Sequence, residues 1–456
     1  MPERSCISAA AGLILTLAGA ASAGIVKGPY LQNLTDSAIV VRWETSTRQP
    51  GIVEYGLTTG YGSEVSHPDS TFDHELALAG LIPDTLYHYR TISGADTSSD
   101  AIFRSRVLPQ TPFRFVVFGD PHGDSATNQQ VANRMAQVNP EPALAASTGD
   151  LTGNGRYASW RIFFNNQRAL LVRAPFFSAP GNHDYDSIAN WHRFLAQPGN
   201  ELYFSFRNGN ASFHCLNAYD PFTPGSSQYN WFLQELQQDS ANPDVRHIFV
   251  LVHTPPYSTN TVYSGNNLIR QHLCPLFERF GVRIVFSGHV HAYEHSLVNG
   301  VHYITTGGGG ATLATSWNQA QPWTVRREAV YEFVVVDIDG ATVTSRAIRA
   351  NGTEFDTLVL TSTAVTENPP AAPPTPGFSC NPNPFRSGGT TITLTTPEPT
   401  ELTVFDAGGR LAPFTITTGP RPGTVSLRPG SAPPGLYFCV VRQPALHAAI
   451  PLILTR

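Results

Sequence analysis

The chain has 456 residues, 41% of them apolar and only 14% charged, with a net charge of −5. That length exceeds one typical domain and predicts two or three. The acidic balance offers no basic surface for nucleic acid.

Residues 1–23 hold Arg4, an apolar run from Ala9 to Ala20, and then Ala21-Ser22-Ala23. This pattern predicts a secretory signal cut after Ala23, because a membrane anchor needs an apolar run of ~20 residues. A secreted or cell-surface location follows, and export permits disulfides. Cys6 leaves with the signal. Cys380 and Cys439 bracket one C-terminal segment and are expected to pair, whereas Cys215 and Cys274 read as buried thiols.

Residues 24–108 read as strands. "SAIVVRWET", "GIVEYGL", "LYHYRTIS" and "AIFRSRV" are rich in β-formers and separated by turn residues. Trp43 and the stretch from Leu81 to Tyr87 suit a β-sandwich with a buried Trp and a corner Tyr. Residues 109–362 change pattern. Apolar runs ("FRFVVF", "ALAAS", "HIFVLV", "RIVFS") alternate with helix-like stretches ("QQVANRMAQV", "ASWRIFFNNQRALL", "NLIRQHLCPLFERF"), which predicts an α/β domain. Later strands, such as "YEFVVVDI" and "TVTSRAIR", follow with little helix between them, so parallel and antiparallel pairing should mix. Residues 363–377 form a Pro-rich linker, with five prolines between Ala364 and Gly377. Residues 378–456 are again β-like.

Five apolar strands in the middle segment end in polar clusters. These are Asp120 and His122; Asp150; Asn182, His183 and Asp184; His253; and His289 with His291. In open α/β sheets, ligands bind outside the carboxyl ends of the strands, so five such clusters can share one crevice. Carboxylate, imidazole and amide oxygen suit Fe, Mn or Zn, and the lack of Cys argues against a closed structural zinc site. Two ions about 3.5–4 Å apart form a clamp for in-line displacement at phosphorus. Such a pair needs a bridging carboxylate, a role that suits Asp150, alone at its strand end. With two carboxylates and a bridging hydroxide, the site stays positive and attracts phosphate. Taken singly, each cluster reads as a turn, a helix cap or a solvent-facing histidine.

The order GD-x-H, GD, GNHD, H-x-P, GH-x-H resembles the calcineurin-like metallophosphoesterases. "KGPYLQNLTDSAIVVRWET" and "LAGLIPDTLYHYR" look like the fibronectin-type N-terminal domain of purple acid phosphatases, and "GHVHAYEHS" and "ITTGGGGA" like their core. The implied fold is a four-layer α/β/β/α sandwich flanked by two small all-β sandwich domains. The implied ligands are Asp120, His122, Asp150 and His291 for the first metal, and Asp150, Asn182, His253 and His289 for the second. The pair would be divalent or mixed-valence, and a metal-bound hydroxide would attack in line. His183 would stabilise the phosphoryl transition state or protonate the leaving oxygen, with Asp184 either orienting it or serving the turn. Two departures stand out. Purple acid phosphatases carry a Tyr ligand three residues after the bridging Asp, but here Gly153 stands there and His122 is expected to replace the ligand. Plant-type members carry a His pair where this chain has Val262 and Tyr263, which makes Tyr263 a candidate substrate contact.

"NPNPF", "VFDAGGR" and "GLYFCVV" resemble the sorting domains of bacterial type IX secretion, which would make the secretion machinery a partner. A carbohydrate-binding sandwich is the other reading of that segment. The expected function is a secreted dinuclear phosphomonoesterase acting on phosphate esters. Its alternatives are a phosphodiesterase with the same centre and a non-catalytic surface protein with a structural metal site.

Overall fold

The computed structural model describes residues 24–361 and, further on, 378–381, 385–394, 401–406, 410–418, 424–443 and 446–455. The expected signal (1–23) and linker (363–377) lie outside the described residues. The chain divides into two compact units, residues 1–364 and 365–456.

The first unit begins with β1 (Ile25–Gln32), β2 (Ala38–Gly56), β3 (Ser63–Ala79), β4 (Leu86–Ser93), β5 (Asp96–Thr97) and β6 (Ala101–Arg104). The first half of β2 pairs with β1 on one side and the end of β3 on the other. Its second half pairs with β4 and the start of β3, after register shifts between Glu44 and Gly51. The long strands therefore bend from one layer to the next. Trp43 is fully buried, stacks on His74 and donates from Nε1 to Ser93 Oγ at 2.9 Å. The Tyr87 hydroxyl accepts from Ile82 N at 3.0 Å and closes the corner, as the sequence suggested.

The rest of the unit runs β7 (Phe113–Phe118), α1 (Ser125–Ala136), β8 (Leu144–Ser147), α2 (Tyr157–Leu171), β9 (Phe176–Ser178), α3 (Ile188–Phe194), β10 (Phe204–Asn208) and β11 (Ala211–Leu216). Then come α4 (Ser227–Ala241), β12 (His247–Val252), α5 (Asn267–His272), α6 (Cys274–Arg279), β13 (Ile284–Ser287), β14 (Tyr293–Val298) and β15 (Val301–Thr306). It ends with β16 (Thr324–Glu328), β17 (Glu332–Asp339), β18 (Thr342–Arg349) and β19 (Glu354–Thr361). In the first sheet the order β19-β18-β17-β7-β8-β9 continues into β1 and β2, and β7, β8 and β9 are mutually parallel. The second sheet has the order β10-β11-β12-β13-β15-β14-β16, with β11, β12, β13 and β15 parallel.

The period-2 pattern of β7 explains the layers. Phe115 and Val117 point between the two sheets, where Phe115 meets Phe213 edge-on at 5.0 Å. Val116 and Phe118 point the other way, onto α1, α2 and α3 through Val131, Phe163 and Trp191. The outer face of the second sheet packs Val250 and Val285 against Phe232 of α4 and Phe277 of α6. The result is helices, sheet, sheet, helices. Each fully buried aromatic in these layers contributes about 2–3 kcal/mol by leaving water.

Local signals set the helix ends. Asp124 caps α1 by accepting from Ala126 N, and Asn266 caps α5 by accepting from Leu268 N and Ile269 N. The stretch that reads as one helix from Asn267 splits at Leu273, because Pro275 lacks an N–H and crowds the preceding turn. The sequence reading passed over α4, although Ser226 caps it and Phe232 and Leu236 share a buried face.

The β1–β6 region and the α/β layers share a sheet, through Gln32 opposite Phe176, and one continuous apolar core. The last carbonyls of α3 have no partner within the helix. Tyr30 OH donates to Phe194 O at 2.9 Å and Arg42 Nη2 to Arg193 O at 2.6 Å. Lys27, buried and 3.0 Å from Glu44, lies 3.6 Å above the Phe194 ring.

The second unit has two antiparallel sheets. One joins β20 (Phe378–Asn381), β21 (Thr390–Leu394), β23 (Thr415–Thr418) and β24 (Thr424–Arg428), and the other joins β22 (Glu401–Asp406), β25 (Gly435–Gln443) and β26 (Leu446–Leu454). Ile392, Leu427, Val404, Cys439 and Leu452 form its core. The expected Cys380–Cys439 disulfide is absent, and both residues are free thiols. They sit on different sheets; Cys380 Sγ lies 3.1 Å from Thr390 Oγ1, and burial pushes the Cys439 thiol up to about 12. Cys215 and Cys274 are buried thiols, as read.

Candidate dinuclear metal centre

Parallel strands present their carboxyl ends at one edge of a sheet, and β7, β8 and β9 do so in the first sheet while β12 and β13 do so in the second. The two edges meet, and all five polar clusters come together there. Asp120, Asp150 and His289 have φ of 53°, 53° and 66°. Left-handed backbone at three non-glycine positions stores strain of a kind that clusters at functional sites. The loops are too close for extra atoms. A Cβ on Gly181 would lie 2.1 Å from Asp150 Oδ1, and one on Gly288 would lie 2.4 Å from Asp120 Oδ2.

Three sets of donor atoms each lie within 4.8 Å of one another: Asp120, His122 and His291; His122, Asp150 and His183; Asp150, His253 and His289. His291 Nε2 is 3.6 Å from Asp120 Oδ1. Asp150 Oδ2 lies between the sets, 3.9 Å from His122 Nε2, 4.0 Å from His183 Nε2 and 3.3 Å from His253 Nε2. Asn182 Oδ1 completes the far side, 3.1 Å from His289 Nδ1. The outer ring atoms are anchored. His253 Nδ1 pairs with Thr148 O and His291 Nδ1 with Thr312 O, each at 2.9 Å, which turns Nε2 inward.

The residues fit metal ions by a direct criterion. Asp120 Oδ1, His122 Nε2 and His253 Nε2 are buried and have no hydrogen-bond partner among the described residues. A buried polar atom left bare costs about 1–3 kcal/mol, and a pair of ions at the centre would satisfy all three. Burial lowers His122 and His289 to about 4, which leaves both imidazoles neutral at pH 7. Burial raises Asp120 well above the usual carboxylate range. Burial alone would lower His253, but the Asp150 carboxylate pushes it up to about 9. In return His253 and His183 hold Asp150 below its ordinary value despite burial.

His183 is more than a third exposed and sits on the solvent side, its ring 4.9 Å from that of His122. The expectation that Asp184 orients His183 does not hold. The Asp184 carboxylate accepts from Gly181 N and Asp150 N at 2.9 Å and from Leu151 N at 3.0 Å, so it ties the Asp150 loop to the Asn182 loop. The ring of His183 faces Asp186 instead, with Nδ1 3.8 Å from Oδ2. Tyr263 lies over His289, centroids 4.6 Å apart, and near His291 at 5.9 Å. A Cβ at Gly153 would sit 3.6 Å from His122 Nδ1, so the two residues occupy one region. The sequence reading missed Tyr219, whose hydroxyl donates to Asn182 Oδ1 at 3.2 Å. Its signal was its position just beyond the carboxyl end of β11, another parallel strand.

Residues 113–293 match the family described as calcineurin-like phosphoesterase. The chain is 27% identical over 349 residues to purple acid phosphatase 18 of Arabidopsis thaliana, covering 68% of this chain and 78% of that one. It is 27% identical over 320 residues to purple acid phosphatase 1 of Ipomoea batatas, covering 60% of this chain and 67% of that one. Its fold is similar to that of a purple acid phosphatase from yellow lupin (Lupinus luteus), with TM-score 0.65, 19% identity, and coverage of 73% of this chain and 74% of that one. With donor sets suited to metal at the meeting of its two sheets, residues 113–293 carry a calcineurin-like phosphoesterase domain with purple acid phosphatase relatives, and the chain is a phosphoesterase hydrolase.

Proposed function

We propose that the protein is a secreted dinuclear phosphatase that hydrolyses phosphomonoesters. The observation that carries this reading is the place of Asp150, whose Oδ2 lies within 4.0 Å of donors on both sides. One ion would take Asp120, His122, Asp150 and His291, and the other Asp150, Asn182, His253 and His289. When bound, such a pair neutralises charge on the phosphoryl oxygens and supplies an activated water.

The chain's own residues do the rest. Asp150 Oδ1 is fixed by His183 N at 2.8 Å, so the shared carboxylate cannot swing away. His183, exposed beside it, is placed to donate a proton from Nε2 to the leaving oxygen. Tyr263 covers the imidazoles of His289 and His291 and would border the ester at that side. We assign secretion to residues 1–23, a fibronectin-type role to the β1–β6 region, and a sorting role to residues 378–456. Fe, Mn and Zn all suit the donor set.

The test is metal analysis of the purified chain, with turnover of p-nitrophenyl phosphate and bis-p-nitrophenyl phosphate measured side by side. Two ions and faster cleavage of the monoester support the reading. Faster cleavage of the diester selects the phosphodiesterase reading. No turnover of either by a protein holding two ions leaves a structural metal site.

A further inference from the structure

Beside the centre, a cleft of about 380 Å³ opens between α1, α2 and the loops carrying His122 and Gly153. That volume falls within the ~300–1,000 Å³ of small-molecule sites. His122 belongs both to this cleft and to the donor sets, so the cleft begins where the centre ends. Glycine at 153 keeps that junction open, since a larger side chain there would project against His122.

The lining has one chemical character. No Asp, Glu, Lys or Arg contributes to it. Asn166 spends Nδ2 on Asn128 Oδ1 and on Ser125, and Asn154 spends Oδ1 on Arg156 N and Ser159. The Ser125 O–H, Asn154 Nδ2 and Asn166 Oδ1 remain without a protein hydrogen-bond partner among the described residues. The cleft thus offers both donors and acceptors but no counter-charge. Ile162, half exposed, forms an apolar wall.

We propose that this cleft seats the uncharged, hydroxyl-bearing alcohol portion of a phosphate ester whose phosphoryl group lies at Asp150; the proposal rests on the phosphomonoesterase reading above. A polyol satisfies the free donors and acceptors and leaves its carbon edges to Ile162. An alkyl chain leaves those polar groups unpaired, and a carboxylate enters a site with no cation to meet it.

Sorbitol 6-phosphate, hexyl phosphate and 6-phosphogluconate share a six-carbon length and differ in these respects alone. The metal-loaded full chain should show kcat/KM for sorbitol 6-phosphate roughly tenfold above the other two, the scale of one or two hydrogen bonds. Ile162→Trp, at a half-exposed helix position, should fill the cleft and collapse that preference. Turnover of p-nitrophenyl phosphate in the same preparation separates the two ideas. If that ester is cleaved but the three six-carbon esters are not discriminated, or Ile162→Trp keeps the discrimination, the cleft proposal is overturned and the phosphatase reading stands. If no monoester is cleaved, both fall.

Discussion

The two sheets contribute differently to the centre. The first supplies Asp120, Asp150 and Asn182, all oxygen donors, with His122 as the imidazole proposed as a ligand. The second supplies only imidazoles, His253, His289 and His291. Its partner thus brings all the negative charge, on loops strained at Asp120 and Asp150. This difference teaches that one layer holds all the negative charge of the candidate centre, while left-handed backbone occurs in both, at Asp120 and Asp150 and at His289. Loss of the shared first-sheet carboxylate, Asp150, should disturb both ions, while loss of a second-sheet imidazole should disturb one.

Asp150→Asn is the strongest break of that comparison, and Asn tolerates the left-handed backbone at this position. Both ions should be lost, and activity should fall at least about 10³-fold, beyond the 10–100-fold typical of an outer-shell partner. Two ions retained by mass spectrometry would refute the asymmetry. His253→Ala should lose one ion and keep the other; loss of both would place the bridging function on the wrong sheet. His183→Asn should keep both ions while kcat falls about 10²–10⁴-fold, the range for general acid catalysis. An unchanged kcat removes His183 from proton transfer.

Smaller effects sharpen the picture. Glu332 is buried beneath the Gly307–Gly310 turn, where it accepts from Thr306 Oγ1 and Gly308 N, and burial raises it to about 8. The folded state then binds a proton that the unfolded chain releases near its ordinary 4.5. Stability from this group is therefore full below about 4.5 and falls as pH rises through 8, by an amount on the order of 5 kcal/mol. Glu332→Gln should flatten that slope in metal-free protein, and an unchanged slope in thermal melts would remove the group from the argument. Tyr219→Phe deletes only the hydroxyl that holds Asn182 Oδ1. It should weaken the second ion roughly tenfold by metal titration, with the first ion unaffected.

The candidate donors were legible as a cluster because each follows an apolar strand closely, and strand ends in parallel sheets share an edge. The four layers were legible from the alternation of runs such as Phe113–Phe118 with helical stretches. What stayed hidden depends on atoms far apart in sequence. Asp184 sits beside His183 in the chain, yet its partners are the backbone N–H groups of Asp150 and Leu151, which no local pattern reveals. Tyr219 follows a strand whose end, Asn217 to Asp220, matches none of the five clusters that point to metal. Cys380 and Cys439 bracket a segment, but bracketing says nothing about whether two Cβ atoms come within bonding reach.

The capping of α3 by Tyr30 and Arg42 has an evolutionary consequence. The loop bearing Asn182 and His183 leads straight into α3, whose last carbonyls are closed by residues about 150 positions earlier. A fragment starting at Phe113 would leave those carbonyls bare and uncover the Phe164 face that Tyr30 stacks on at 4.1 Å. The amino-terminal strands and the chemistry must then be inherited together. A new amino-terminal module would have to arrive with its own Tyr30 and Arg42.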